Sequence, residues 1–132
     1  IYEAGNDGID FMTSNISLTN VNIEKALDKA LSVGEASRIN VDSGYINNSN
    51  IGIAIKDQSI FNLSRYKMQE NHIAIDVFKK NWRYGAPGEG HLSEVKFTNN
   101  EVDLQVEKDG SLFLEQEIPS KIYNDGIIKQ IK

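Results

Sequence analysis

The sequence predicts a single α+β domain in which an N-terminal amphipathic helix packs on an antiparallel sheet ending in a three-stranded meander. Three observations predict it: apolar residues at helical spacing between Asn20 and Val33, period-two alternation in 51–55 and 72–77, and turn chemistry separating three alternating runs between 92 and 118. The chain has 132 residues, room for one domain spanning 1–132 and too few for two independent cores. Leu, Ile, Val and Phe account for 37 residues, well above the level of about 20% typical of disordered chains. The chain should fold.

The first 18 residues read as an extended lead-in, with a turn at Gly5-Asn6-Asp7-Gly8 and Ile9, Phe11 and Ile16 as anchors. From about Asn20, residues Ile23, Ala26, Leu27, Ala30 and Leu31 recur as on one helical face, with Glu24, Lys25, Asp28 and Lys29 opposite. Thr19 or Asn20 serves as the N-cap and Gly34 as the C-cap. Ile39 and Val41 suggest a short strand, and Ser43-Gly44 with 47–50 reads as loop. In Ile51-Gly52-Ile53-Ala54-Ile55 the isoleucines share one face and the small residues the other, as in a closely covered central strand. Residues 58–70 fit neither period. Ile73, Ile75 and Val77 restore the alternation.

Register arithmetic orders the C-terminal third. A two-residue turn at Asp109-Gly110 would mix apolar and charged faces. A three-residue loop 108–110 with Gly110 left-handed instead pairs Val106 with Leu112 and Leu104 with Leu114. A four-residue loop 98–101 pairs Phe97 with Val102 and Val95 with Leu104, completing the meander. Asn-Asp-Gly-Ile occurs at 6–9 and 124–127, but two copies of turn chemistry do not make an internal repeat.

Net charge is −5 with a pI near 5.0, which disfavours duplex nucleic acid as a partner. Its distribution says more. Between Glu94 and Glu117 there are seven acids and two bases, while 56–83 holds six bases and three acids. On the meander register Glu94, Lys96, Asp103, Gln105, Glu107, Glu115 and Glu117 face away from the core, together with Phe113. This face reads as a solvated outer sheet or as an interaction surface of Glu94, Asp103, Glu107, Glu115 and Glu117 that meets Lys79 and Lys80 of a second copy.

With no cysteine, the chain lacks disulfides and thiolate sites, and its two histidines, 19 residues apart, make no metal motif. No cofactor is expected, and no phosphate loop, dinucleotide fingerprint or nucleophile elbow is present. The chemically richest stretch is 81–91, where Trp82, Arg83, Tyr84, Glu89 and His91 could bind a sugar ring or an anion. No run of apolar residues is long enough for a membrane span.

The function expected from these features is a non-enzymatic interaction or structural module, self-associating or binding a protein partner. The Asn- and Ile-rich bias accompanies AT-rich coding and so points to a bacterial or phage source, and with the segregated charge to a subunit of a bacterial surface or phage assembly. The alternative is a small ligand-binding domain or enzyme using the Trp82–His91 loop. In outline, a helix followed by an antiparallel sheet resembles the globular heads of pilin-like subunits. That resemblance implies an extracytoplasmic or cell-surface location, provided an upstream anchor has been removed.

Overall fold

Isoleucine outnumbers every other apolar residue, with 17 copies, and β-branched side chains pack best on pleated surfaces. A computed structural model describes residues 1–81 and 85–131, and all its regular elements are strands. One six-stranded sheet runs in the order β1 (Ile9–Met12), β3 (Lys29–Gly34), β5 (Ile51–Lys56), β7 (Ile73–Phe78), β9 (Val102–Val106) and β11 (Ile122–Asn124). The second runs β12 (Ile127–Gln130), β10 (Ser111–Leu114), β8 (Glu89–Thr98), β6 (Ile60–Gln69), β4 (Arg38–Asn47) and β2 (Asn15–Glu24). Every pairing is parallel.

Each strand therefore pairs with the strand one rung away, and the chain winds as a parallel β-solenoid. Ile9, Leu31, Ile53 and Ile75 stack at 22-residue steps, and the next step, to Leu104, is seven residues longer. The extra length lies in the connection 79–88, which replaces the three-residue link 57–59 of the rung before. The chain thus has a repeat of rungs that its varied residues conceal.

Corners make the winding possible. Non-glycine residues with positive φ stack in columns: Thr13, Ala36 and Gln58; Asn20, Ser43, Arg65 and Glu94; Lys25, Asn48, Glu70 and Asn99. A left-handed residue inside a strand bends it and resets which side chains point inward. In β6, Phe61 and Leu63 are buried before Arg65, and Tyr66 and Met68 after it. This is why 58–70 matches neither period.

The same geometry overturns the expected helix over 20–33. Ile23 lies one residue before the end of β2, Lys25 turns left-handed, and Ala26, Ala30 and Leu31 are buried beyond that corner. The three-residue gap across a corner imitates helical spacing, but Leu27 is 73% exposed and belongs to no stripe. Gly34 is not a helix cap either. It closes β3, where an added Cβ would meet the Lys56 side chain at 3.2 Å.

The antiparallel meander is likewise corrected. Leu104, Val106, Leu112 and Leu114 are buried as the alternation requires, but Leu104 pairs with Ile75 and Ile122, while Leu112 pairs with Gly90 and Ile128. Asp109, not Gly110, takes the left-handed conformation. Gly110 is needed for space, since a Cβ there would lie 2.9 Å from Val77 Cγ1. The pilin-head resemblance rested on a helix and an antiparallel sheet, and falls with both. Among the described residues no helix is long and apolar enough to cross a membrane.

The core is a stack of Ile, Leu, Val and Phe enclosed between the two sheets. Two polar devices tie its corners. At the bend beside Arg65, buried Tyr66 donates its hydroxyl to the Val21 carbonyl at 2.5 Å, and burial pushes the phenol well above its usual pKa. Tyr66→Phe should lose about 1 kcal/mol in urea unfolding, the net worth of that hydrogen bond. A loss no larger than a surface substitution produces would show that the hydroxyl does not tie the bend.

Along the next corner, a buried ladder links four rungs. The Ser49 hydroxyl accepts from Ala26 N–H at 3.1 Å, Asn71 Oδ1 accepts from Ser49 N–H at 3.0 Å, and Asn100 Oδ1 accepts from Asn71 N–H at 2.9 Å.

Candidate binding face

Between the inward columns of the β1–β11 sheet, alternation turns another column outward: Asp10, Ser32, Ala54, Asp76, Gln105 and Tyr123, each paired with the next across the ladder. An outer face of a solenoid is ordinarily wet. Here Ser32 and Ala54 are fully buried, Asp76 is 7% exposed, and Lys56 on the same strand as Ala54 is 8% exposed. Two clefts open on this face.

The first, of about 420 Å³, is walled by Phe11, Met12, Gly34 and Glu35, with Lys56, Asp57 and Lys80 inside it. Asp57 is buried, and one of its carboxylate oxygens accepts the backbone N–H groups of Lys80 at 2.8 Å and Asn81 at 2.9 Å. Those bonds fix the start of the long connection. Lys56 is pushed below its usual range by burial, then by the neighbouring Lys80 and Lys29 ammoniums, with Asp10 and Asp57 opposing. The wall is also strained, since Glu35-Ala36 and Asp57-Gln58 are consecutive left-handed pairs of non-glycine residues.

The second cleft, of about 430 Å³, is lined by Asp76, Phe78, Gln105, Glu107, Tyr123 and Asp125. Burial raises Asp76 to about 6, the charge of Glu107 adds to the rise, and the Gln105 side chain and Lys29 oppose it. Glu107 accepts the Lys79 N–H at 2.9 Å, so the backbone after Phe78 is held from both sides, by Glu107 and by Asp57. Tyr123 stands 67% exposed.

The residues predicted from sequence are distributed over several faces. Lys79, Lys80 and Glu107 meet at this sheet. Asp103 does not face outward: it is buried, accepting from the Asn100 side chain at 3.1 Å. Glu94 occupies a corner of β8, whereas Glu115 and Glu117 lie exposed beyond β10, so the acidic residues do not form one sheet face.

Glu89 and His91 do come together on β8, with Glu89 Oε2 and His91 Nε2 2.7 Å apart. The imidazole stacks on Phe113 with ring centroids 5.2 Å apart, beside a cavity of only about 160 Å³. Trp82, Arg83 and Tyr84 lie outside the described residues.

The sequence reading missed Asp10, Glu35 and Asp57 as site residues and used Lys56 only in a charge count. One signal could have found the cleft. Val33-Gly34-Glu35, Ile55-Lys56-Asp57 and Val77-Phe78-Lys79 are 22 residues apart, each placing a small, cationic or aromatic residue after a buried Val or Ile. Comparison of the chain with known protein families, curated proteins and solved structures finds no match.

Proposed function

We propose that this chain is a non-enzymatic interaction module that holds an extended, hydroxyl-rich polymer, a polysaccharide, along the outer face of its β1–β11 sheet. The observation that carries the reading is the placement of two clefts on that one face, where Phe78 of the second is paired across the ladder with Lys56 of the first. From Asp10 to Tyr123 the face spans five inter-strand steps, about 24 Å. A compact ligand would not use that length. An exposed tyrosine beside an amide and carboxylates suits a sugar ring, which offers an apolar face for stacking and hydroxyls for hydrogen bonds. The parallel ladder holds these groups at fixed spacing, so little side-chain or backbone order need be lost on binding.

Affinity electrophoresis through gels containing neutral or carboxylated polysaccharides tests this reading. The protein should be retarded, and Tyr123→Ala should weaken binding by about tenfold while leaving the thermal midpoint unchanged, as expected for losing one stacking platform. Free migration through every gel, or retardation indifferent to Tyr123→Ala, would overturn it.

A further inference from the structure

The cleft around Lys56 narrows the class of polymer, an inference that rests on the polysaccharide reading above. Lys56 is nine-tenths buried, yet among the described residues its ammonium has no hydrogen-bond or ion-pair partner. The stem is buried while the ammonium opens into the cleft, and a partly desolvated cation without an ion pair favours an anionic partner. Of the carboxylates whose charge acts on it, Asp57 gives one oxygen to the two backbone N–H groups of the connection, and Asp10 stands at the cleft wall without forming an ion pair with it. Lys80 adds a second ammonium to the same cavity, and Gly34 leaves the space through which the Lys56 stem passes.

We infer that Lys56 and Lys80 receive the carboxylate of an acidic saccharide, while Asp10 and Glu35 at the cleft wall accept hydrogen bonds from its hydroxyls. The mixed charge of the cleft supports a sugar acid over a bare anion. A simple anion would be drawn to the lysines but repelled by Asp10, Glu35 and Asp57, whereas a sugar acid presents hydroxyl donors to the carboxylates and an anion to the lysines. Subsequent sugar units would then pass Phe78 toward Tyr123.

Titration calorimetry at low ionic strength decides the matter with three probes: an oligogalacturonate, a neutral galacto-oligosaccharide of equal length, and inorganic phosphate. The oligogalacturonate should bind about tenfold or more tighter than the neutral oligomer, and added salt should erode that advantage. Lys56→Met should remove it, and Lys80→Gln, a change at the cleft that leaves Lys56 in place, should reduce it several-fold. Equal affinity for the two oligomers, or an advantage surviving both substitutions, would overturn the inference. Phosphate binding as tightly as the oligogalacturonate would overturn the saccharide assignment in favour of a plain anion site. If the neutral oligomer binds in a Tyr123-dependent way and the acid has no advantage, only this inference fails. If neither oligomer binds, the polymer-binding reading fails with it.

Discussion

Asn100→Ala should destabilise the protein by about 3 kcal/mol or more, measured by urea or thermal unfolding, because it strips a buried group that four others depend on. Asn100 is 1% exposed. Its Oδ1 accepts from the Asn71 N–H at 2.9 Å and from Asn71 Nδ2 at 3.1 Å. Its Nδ2 donates to the Met68 carbonyl at 3.0 Å and to Asp103 Oδ1 at 3.1 Å. Alanine leaves these partners in a space too enclosed for ready hydration, so the loss is several desolvation penalties rather than one net hydrogen bond. The neighbouring Asn99→Ala is the control. Asn99 is exposed and left-handed, so it should lose only the modest preference of asparagine for that conformation. If Asn100→Ala costs no more than Asn99→Ala, the ladder is not what holds the corner.

Asp76→Asn should instead stabilise the protein, by about 2 kcal/mol near pH 7 and not at all near pH 4. The sign follows from the direction of the shift. The folded state raises Asp76 to about 6, above its unfolded value near 4, so between these values the native chain binds more protons than the unfolded one. Stability is therefore greatest below the unfolded value and falls as pH rises through the folded one. Glu107 strengthens the effect, while Gln105 and Lys29 moderate it. Asparagine keeps the shape and removes the titration. Thermal midpoints of the two proteins, measured from pH 4 to pH 8, should coincide at the acid end and separate as Asp76 ionises. Parallel midpoints across that range would show that Asp76 is not desolvated by the outer face.

How the chain could be misread as α+β is visible in particular residues. Period-two alternation correctly selected Leu104, Val106, Leu112 and Leu114 for burial, and Ile53 and Ile55 for the interior of a sheet. Alternation carries no information about the partner strand, because the same inward set serves parallel or antiparallel pairing equally well. The helical reading of 20–33 failed for a related reason. Ile23, Ala26, Ala30 and Leu31 are core residues, but their spacing comes from a left-handed corner between two strands, not from a helix. Most residues at the corners are Asn, Ser, Lys, Glu, Gln or Arg, not the glycines that would have signalled positive φ.

The candidate site was less legible still. Asp10, Glu35, Lys56 and Lys80 are far apart in sequence, and each alone reads as a surface charge. Only winding at about 22 residues per rung brings four successive rungs to one wall. The richness of 81–91 drew attention to the connection. The structure places the charge at its foot, where Asp57 and Glu107 hold the backbone at Lys80 and Lys79.

By itself the sequence determined that the chain carries enough apolar residues to build a core, and which side chains much of that core would take. Those are local properties, set by side-chain volume, branching and period. Only the tertiary structure decided that the strands run parallel, that polar residues turn the corners, and that a lysine is buried on an outer face with no ion pair among the described residues. Each of these depends on contacts between residues more than twenty positions apart, whose free energy is realised only once the rungs have stacked.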